Sequence, residues 1–180
     1  MHTRGGRNGG SKDSRRLLFS DRHDSQGCRV FTTALRCDSE EIVEAGSRSG
    51  MLGYVRSLIE ARRQVSSRIG AVAKDPSSYD LIVVGTPVWA WSLSSPVRAF
   101  LLANRPRLPA VAFFCTLGGA GSDRAFGQMQ ELTGKAPIGC LAITAREVAL
   151  ATYQARVATF AGALQRRLAE QRERAAPTAA

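Results

Sequence analysis

Four large aliphatic residues, Leu81, Ile82, Val83 and Val84, run without interruption, and both tryptophans of the chain follow within seven residues, at Trp89 and Trp91. An unbroken apolar run of this length, partly β-branched, reads as a strand covered on both faces. Covering both faces takes helices above and below the sheet, which commits the chain to a layered α/β architecture. Gly85 and Pro87 are expected to stop the strand, leaving Val88, Trp89, Ala90 and Trp91 in a loop. Ser95 and Pro96 read as an N-cap and a first helical position, because serine accepts an orphan amide and proline needs no donor there. Val97, Phe100 and Leu101 follow at helical spacing. Two large rings at the carboxyl end of a buried strand either pack on neighbouring loops or wait for something flat to cover them.

The pattern repeats. Leu108-Pro109 opens a second apolar run, Ala110 to Cys115, which ends in Thr116-Leu117-Gly118-Gly119-Ala120-Gly121-Ser122. Glycines there let backbone amides approach a ligand closely, or simply make a tight turn. The GxGxxG fingerprint is absent, since Arg124 occupies its third glycine, and Gly127 to Lys135 has the wrong spacing for a Walker A loop. Ser122 is expected to cap a helix with Phe126, Met129 and Leu132 inside, ending at Gly134. Ile138 to Ile143 reads as the last strand. Thr144 and Glu147 form a capping box for a final helix whose stripe is Tyr153, Val157, Phe160, Leu164 and Leu168. Upstream, Cys37 to Val43 reads as a polar edge strand, and Met51, Leu52, Val55, Leu58 and Ile59 as an amphipathic helix to about Arg63. Asp75-Pro76-Ser77-Ser78 is a turn.

GTPVWAWSLSSPVRAFL resembles the flavin-contacting loop of the flavodoxin-like family in its short-chain variant, and AFFCTLGGAGSDRAFGQM resembles the second flavin loop of that family. The resemblance runs from about Cys37 to the end of the final helix. It implies a doubly wound, parallel, five-stranded sheet in the order 2-1-3-4-5 with helices on both faces. The ligand would lie beyond the carboxyl ends of the strands, where the strand order reverses. It also implies FMN as cofactor. Thr86, Pro87, Val88, Trp89, Ala90 and Trp91 would contact one side of the ring, and Thr116, Leu117, Gly118, Gly119, Gly121 and Ser122 its polar edge. The implied function is a redox protein passing electrons through non-covalently bound flavin to an unknown partner. The alternatives are an NAD(P)H-dependent flavin or quinone reductase on the same scaffold, and a fold remnant that binds no flavin.

The start of the chain departs from that pattern. The family opens with an apolar strand and a loop built on T-G-x-T, whose amides and hydroxyls hold the flavin phosphate at a helix N-terminus. Here Leu17, Leu18 and Phe19 are the only apolar cluster before Val30, and SDRHDSQGCRV follows. The first strand and the phosphate site are therefore in doubt. Shifted by one nucleotide, the codons permitted for Lys12 to Gly27 can spell K-I-V-V-V-Y-F-S-R-T-G-T-T-R-K. In that reading Asp21, His23 and Asp24, with C-ending codons, each give threonine, and Arg22 gives glycine. A displaced frame up to about residue 33 is one account of the departure; a divergent natural start is the other.

With 180 residues, one domain is expected: a disordered basic segment over 1–16, the α/β domain over 17–174 and a disordered tail over 175–180. The net charge of +10 is spread unevenly, with eight Arg/Lys against three Asp in residues 1–36. No aromatics interleave these cations and no base-reading motif is present, so the charge reads as a solvated face and no nucleic-acid partner is expected. No stretch approaches the ~20 apolar residues of a membrane span, so no membrane association is expected. Cys28, Cys37, Cys115 and Cys140 form no CxxC. Cys115 and Cys140 read as small buried hydrophobes, and a reducing cytoplasm fits. The only histidines are His2 and His23. No catalytic side chain and no metal site are therefore expected, as befits a protein whose cofactor carries the chemistry.

Overall fold

The computed structural model describes residues 16–21, 25–43 and 69–175. The segment 1–15, the expected helix between Met51 and Arg63, and the tail from 176 lie outside the described residues. A parallel sheet organises the rest. Its strands are β1 (Arg16–Asp21), β2 (Asp38–Ile42), β3 (Leu81–Trp89), β5 (Ala110–Leu117) and β6 (Cys140–Thr144). The order across the sheet is β2-β1-β3-β5-β6, and a two-residue strand, β4 (Ser92–Leu93), folds back on the end of β3. Counting the five long strands in chain order, this is the expected 2-1-3-4-5.

β1 holds the centre. Leu17 to Asp21 pair with Asp38 to Ile42 on one side, and Arg16 to Ser20 pair with Leu81 to Gly85 on the other. The short cluster around Leu17-Leu18-Phe19 is thus long enough to seat the first strand, because its neighbours provide both ladders.

The two faces of the sheet are covered separately. Leu81, Val83, Ala112 and Phe114 face Phe31 and Leu35 of α1 (Ser25–Leu35) and Val157, Ala161, Leu164 and Leu168 of a long C-terminal helix. Ile82, Val84, Val111 and Phe113 face Val97, Phe100 and Leu101 of α2 (Ser95–Asn104) and Met129 of α3 (Ser122–Thr133). Successive residues of β3 and β5 therefore enter opposite cores, which is why both strands are apolar throughout.

β3 does not stop at Gly85 or Pro87. Gly85 pairs with Phe114, and a Cβ on it would stand 2.0 Å from the Phe114 ring. The glycine is there for the ring, which stacks on Phe31 at 4.2 Å. Pro87 lies past the last β1 pair, Ser20 with Gly85, where one flank of the strand carries no ladder and proline is tolerated. β5 likewise runs on through Thr116 and Leu117.

Three further details differ from expectation. The residue capping α2 is Ser94, with Ser95 already helical and no side-chain cap bond made. The Thr144–Glu147 capping box is present, but it opens a short helix, α4 (Ala145–Ala149), and the stripe from Val157 to Leu168 belongs to a separate α5 (Gln154–Ala175). Ala151, at φ 52°, breaks the two apart. Cys115 is buried as expected, but Cys140 is exposed at the start of the edge strand β6.

Candidate functional site: two loops at one edge of the sheet

All five long strands are parallel, so the segments leaving their carboxyl ends share one edge. The register brings Thr86 beside Cys115 and Pro87 beside Thr116, so the two expected ligand loops start level with each other.

The first of them is a hairpin rather than an open loop. Val88 pairs with Leu93 and Trp89 with Ser92, antiparallel, leaving a two-residue turn at Ala90 and Trp91. Both turn residues have positive φ, 48° and 58°. Such a turn suits the right-handed twist of the strands and normally takes Asn-Gly. An L-residue held there costs about 1–2 kcal/mol. Ala90 and Trp91 thus store strain at the edge where a ligand is expected. Trp91 is 57% exposed, while Trp89 is half-buried.

Thr86 holds the hairpin to the helix that follows it. It is fully buried; its hydroxyl accepts the Ser94 amide at 3.0 Å and donates to the Pro87 carbonyl at 3.1 Å. It therefore ties the end of β3 to the entrance of α2. Pro87 is buried beside it.

The second loop is open. Gly118, Gly119 and Ala120 are exposed, and a Cβ at Gly118 or Gly119 would meet nothing within 4 Å. No hydrogen bond within the described residues uses their amides. Gly121, at φ 105°, takes the N-cap position of α3, and Ser122 is the first helical residue rather than the cap. A Cβ on Gly121 would stand 2.7 Å from Trp91 Cδ1 and 3.2 Å from Val88 Cγ1. The glycine loop therefore packs directly on the tryptophan hairpin. The twelve residues singled out from the sequence all fall in these two segments. Thr86, Pro87 and Leu117 are buried in the edge itself, and the others lie at its surface.

The chain after β1 leads to the same edge. β1 ends at Asp21 and α1 starts at Ser25; the connection of residues 22–24 lies outside the described residues.

Sequence reasoning missed three side chains beneath the hairpin. Arg98, Gln128 and Ser92 are all buried and hydrogen-bonded to one another. The signal was available. Arg98 sits inside the apolar PVRAFLL run, and Gln128 directly precedes Met129 on the buried face of α3.

No family model matches the chain, and comparison with curated proteins finds no match. Solved structures do match. A flavoprotein from Lactobacillus acidophilus NCFM, crystallised in complex with FMN, superposes with a TM-score of 0.63 at 18% identity, over 76% of this chain and 97% of that one. The WrbA-like flavodoxin protein from Agrobacterium tumefaciens gives 0.50 at 12% identity, over 85% of this chain and 99% of its own.

The fold is flavodoxin-like.

In this strand order the reversal falls between β1 and β3, and the tryptophan hairpin leaves β3, one of those two strands. Among the described residues no group of His, Cys, Asp and Glu could hold a metal, and no helix is long and apolar enough to cross a membrane.

Proposed function

We propose that the chain binds FMN at this edge and serves as a redox protein. The observation carrying the proposal is the packing of the tryptophan hairpin on the glycine loop through Gly121. It sets an exposed indole beside a run of free backbone amides, which suits a flat ring with a polar rim. The flavin supplies the electron-transfer chemistry when bound. Trp89 and Trp91 cover the ring and exclude water from it. The amides of Gly118, Gly119 and Ala120 donate to its carbonyl edge. The connection between β1 and α1 would take the phosphate, at the N-terminus of α1.

The ring side of this site fits FMN well, and the phosphate side departs from T-G-x-T. Equilibrium dialysis of the chain against FMN and riboflavin separates the two. FMN held at least tenfold more tightly than riboflavin means that the segment after β1 grips phosphate. Equal affinities mean that it does not, and absence of both from the protein sinks the proposal.

How electrons enter is the second question. The net charge of +10 favours an anionic donor such as NADPH over a basic protein partner. Anaerobic mixing of the flavin-loaded chain with NADPH decides it. Bleaching of the flavin band by NADPH alone identifies a reductase, and an unchanged band identifies a carrier fed by another protein.

A further inference from the structure

The most deeply buried charge near the site lies in neither loop. Arg98, in α2, is 5% exposed. No carboxylate among the described residues is within ion-pair distance of it. Glu131, exposed on α3, acts on it only from further away, and burial pulls its pKa below the usual arginine value. A guanidinium nonetheless stays protonated inside proteins. A full positive charge is therefore held on neutral partners under the tryptophan hairpin.

Those partners form a clamp. Gln128 Oε1 accepts from Ser92 Oγ at 2.9 Å, from the Leu93 amide at 3.3 Å and from Arg98 Nη2 at 3.3 Å. Arg98 Nη2 also donates to Ser92 Oγ at 3.4 Å. The reversed amide would set its NH2 against the Leu93 amide and the guanidinium, which can only donate, so its orientation is fixed by its surroundings. Gln128 is itself 8% exposed, and its Nε2 is buried with no partner among the described residues. The cluster holds more donors than acceptors, and all of its charge is positive. Ser92 is the cross-strand partner of Trp89, so this excess lies on the same face of the hairpin as the Trp89 side chain.

We infer that Arg98, seated on Gln128, biases the site at Trp89 and Trp91 toward the negatively charged form of its ligand. The inference rests on the FMN reading. Two electrons and one proton turn the oxidised ring into an anionic reduced ring; a second proton makes it neutral. A buried cation favours the anion, so reduced FMN binds more tightly than it otherwise would and the two-electron potential rises.

The test is Gln128→Glu. The carboxylate keeps the acceptor that Ser92, Leu93 and Arg98 need, and cancels the charge. At an effective dielectric of ~20 a unit charge inside the protein is worth on the order of tenfold in an equilibrium. Oxidised FMN should bind within about threefold of wild type. Reduced FMN, prepared with dithionite, should bind about tenfold more weakly, and the two-electron potential should fall by about 30 mV. Arg98→Met removes the same charge while leaving the Ser92 and Leu93 bonds, and reads the same shift if the glutamate variant fails to fold. A potential that stays or rises in the variant measured overturns the inference while leaving FMN binding intact. Failure of the wild-type chain to bind FMN overturns both.

Discussion

Gly121 lies against Trp91 so closely that a Cβ on it would stand 2.7 Å from the indole Cδ1 and 3.0 Å from the Trp91 Cα. Gly121 also sits at φ 105°, where a side chain is strained whatever the space. Gly121→Ala therefore meets two penalties: about 1–2 kcal/mol for the backbone, and displacement of the indole. Urea unfolding should show about 2–3 kcal/mol lost, combining backbone strain with overpacking. The tryptophan emission should shift as the hairpin leaves the loop. An unshifted emission would mean that the two loops are not coupled.

Gly85 offers a second test, directed at the core. Its missing side chain is the space the Phe114 ring occupies, and that ring is locked by its stack on Phe31. Gly85→Ala should cost about 1–3 kcal/mol by overpacking. Adding Phe114→Leu should recover part of the loss, because residues in contact couple. Additive losses in denaturant titrations would contradict the contact.

Glu147 makes stability depend on acid. Its carboxylate accepts from the Thr144 amide and hydroxyl, each at 2.8 Å, and is joined by Arg156. Bonds to the Thr144 amide first, then its hydroxyl, then Arg156 hold its pKa down to about 2 from an ordinary 4.5. A depressed carboxylate contributes stability that is fully present above the ordinary value and lost as pH falls through the folded one. Wild type should therefore lose more stability than Glu147→Gln between about pH 5 and pH 2. Melting temperatures taken across that range check it; parallel curves would contradict the cap.

Much of the fold was legible because the signals were local. Continuous apolar runs gave β3 and β5, and the spacing of Val157, Leu164 and Leu168 gave the buried stripe of α5. Where the reading fell short, the cause was tertiary. Gly85 and Pro87 look like strand breakers, and only the Phe114 ring and the one-sided ladder explain why the strand continues through them. The hairpin at Ala90 and Trp91 carries none of the Asn-Gly chemistry that marks such turns. The places of Arg98 and Gln128 in the sequence mark them as buried, but only the packing of α2 and α3 at Ser92 makes them partners. The central place of β1 came from the ladders of β2 and β3, not from its own six residues.

The sequence around β1 and in the segment after it invites a test at the level of the gene. If the displaced frame accounts for its sequence, the coding DNA read one nucleotide out of register across Lys12 to Gly27 contains T-G-x-T. A chain rebuilt with K-I-V-V-V-Y-F-S-R-T-G-T-T-R-K in place of Lys12 to Gln26 should then bind FMN at least tenfold more tightly. A shifted frame without T-G-x-T makes the present start a genuine variant.

The central claim is that the tryptophan hairpin and the glycine loop together hold FMN. Titrating the purified chain into FMN and following flavin fluorescence tests it most directly. The prediction is saturable, one-to-one quenching as the ring stacks on the hairpin, and its marked weakening in Trp91→Ala. Flavin fluorescence that stays constant, while circular dichroism shows a folded α/β chain, would contradict the account.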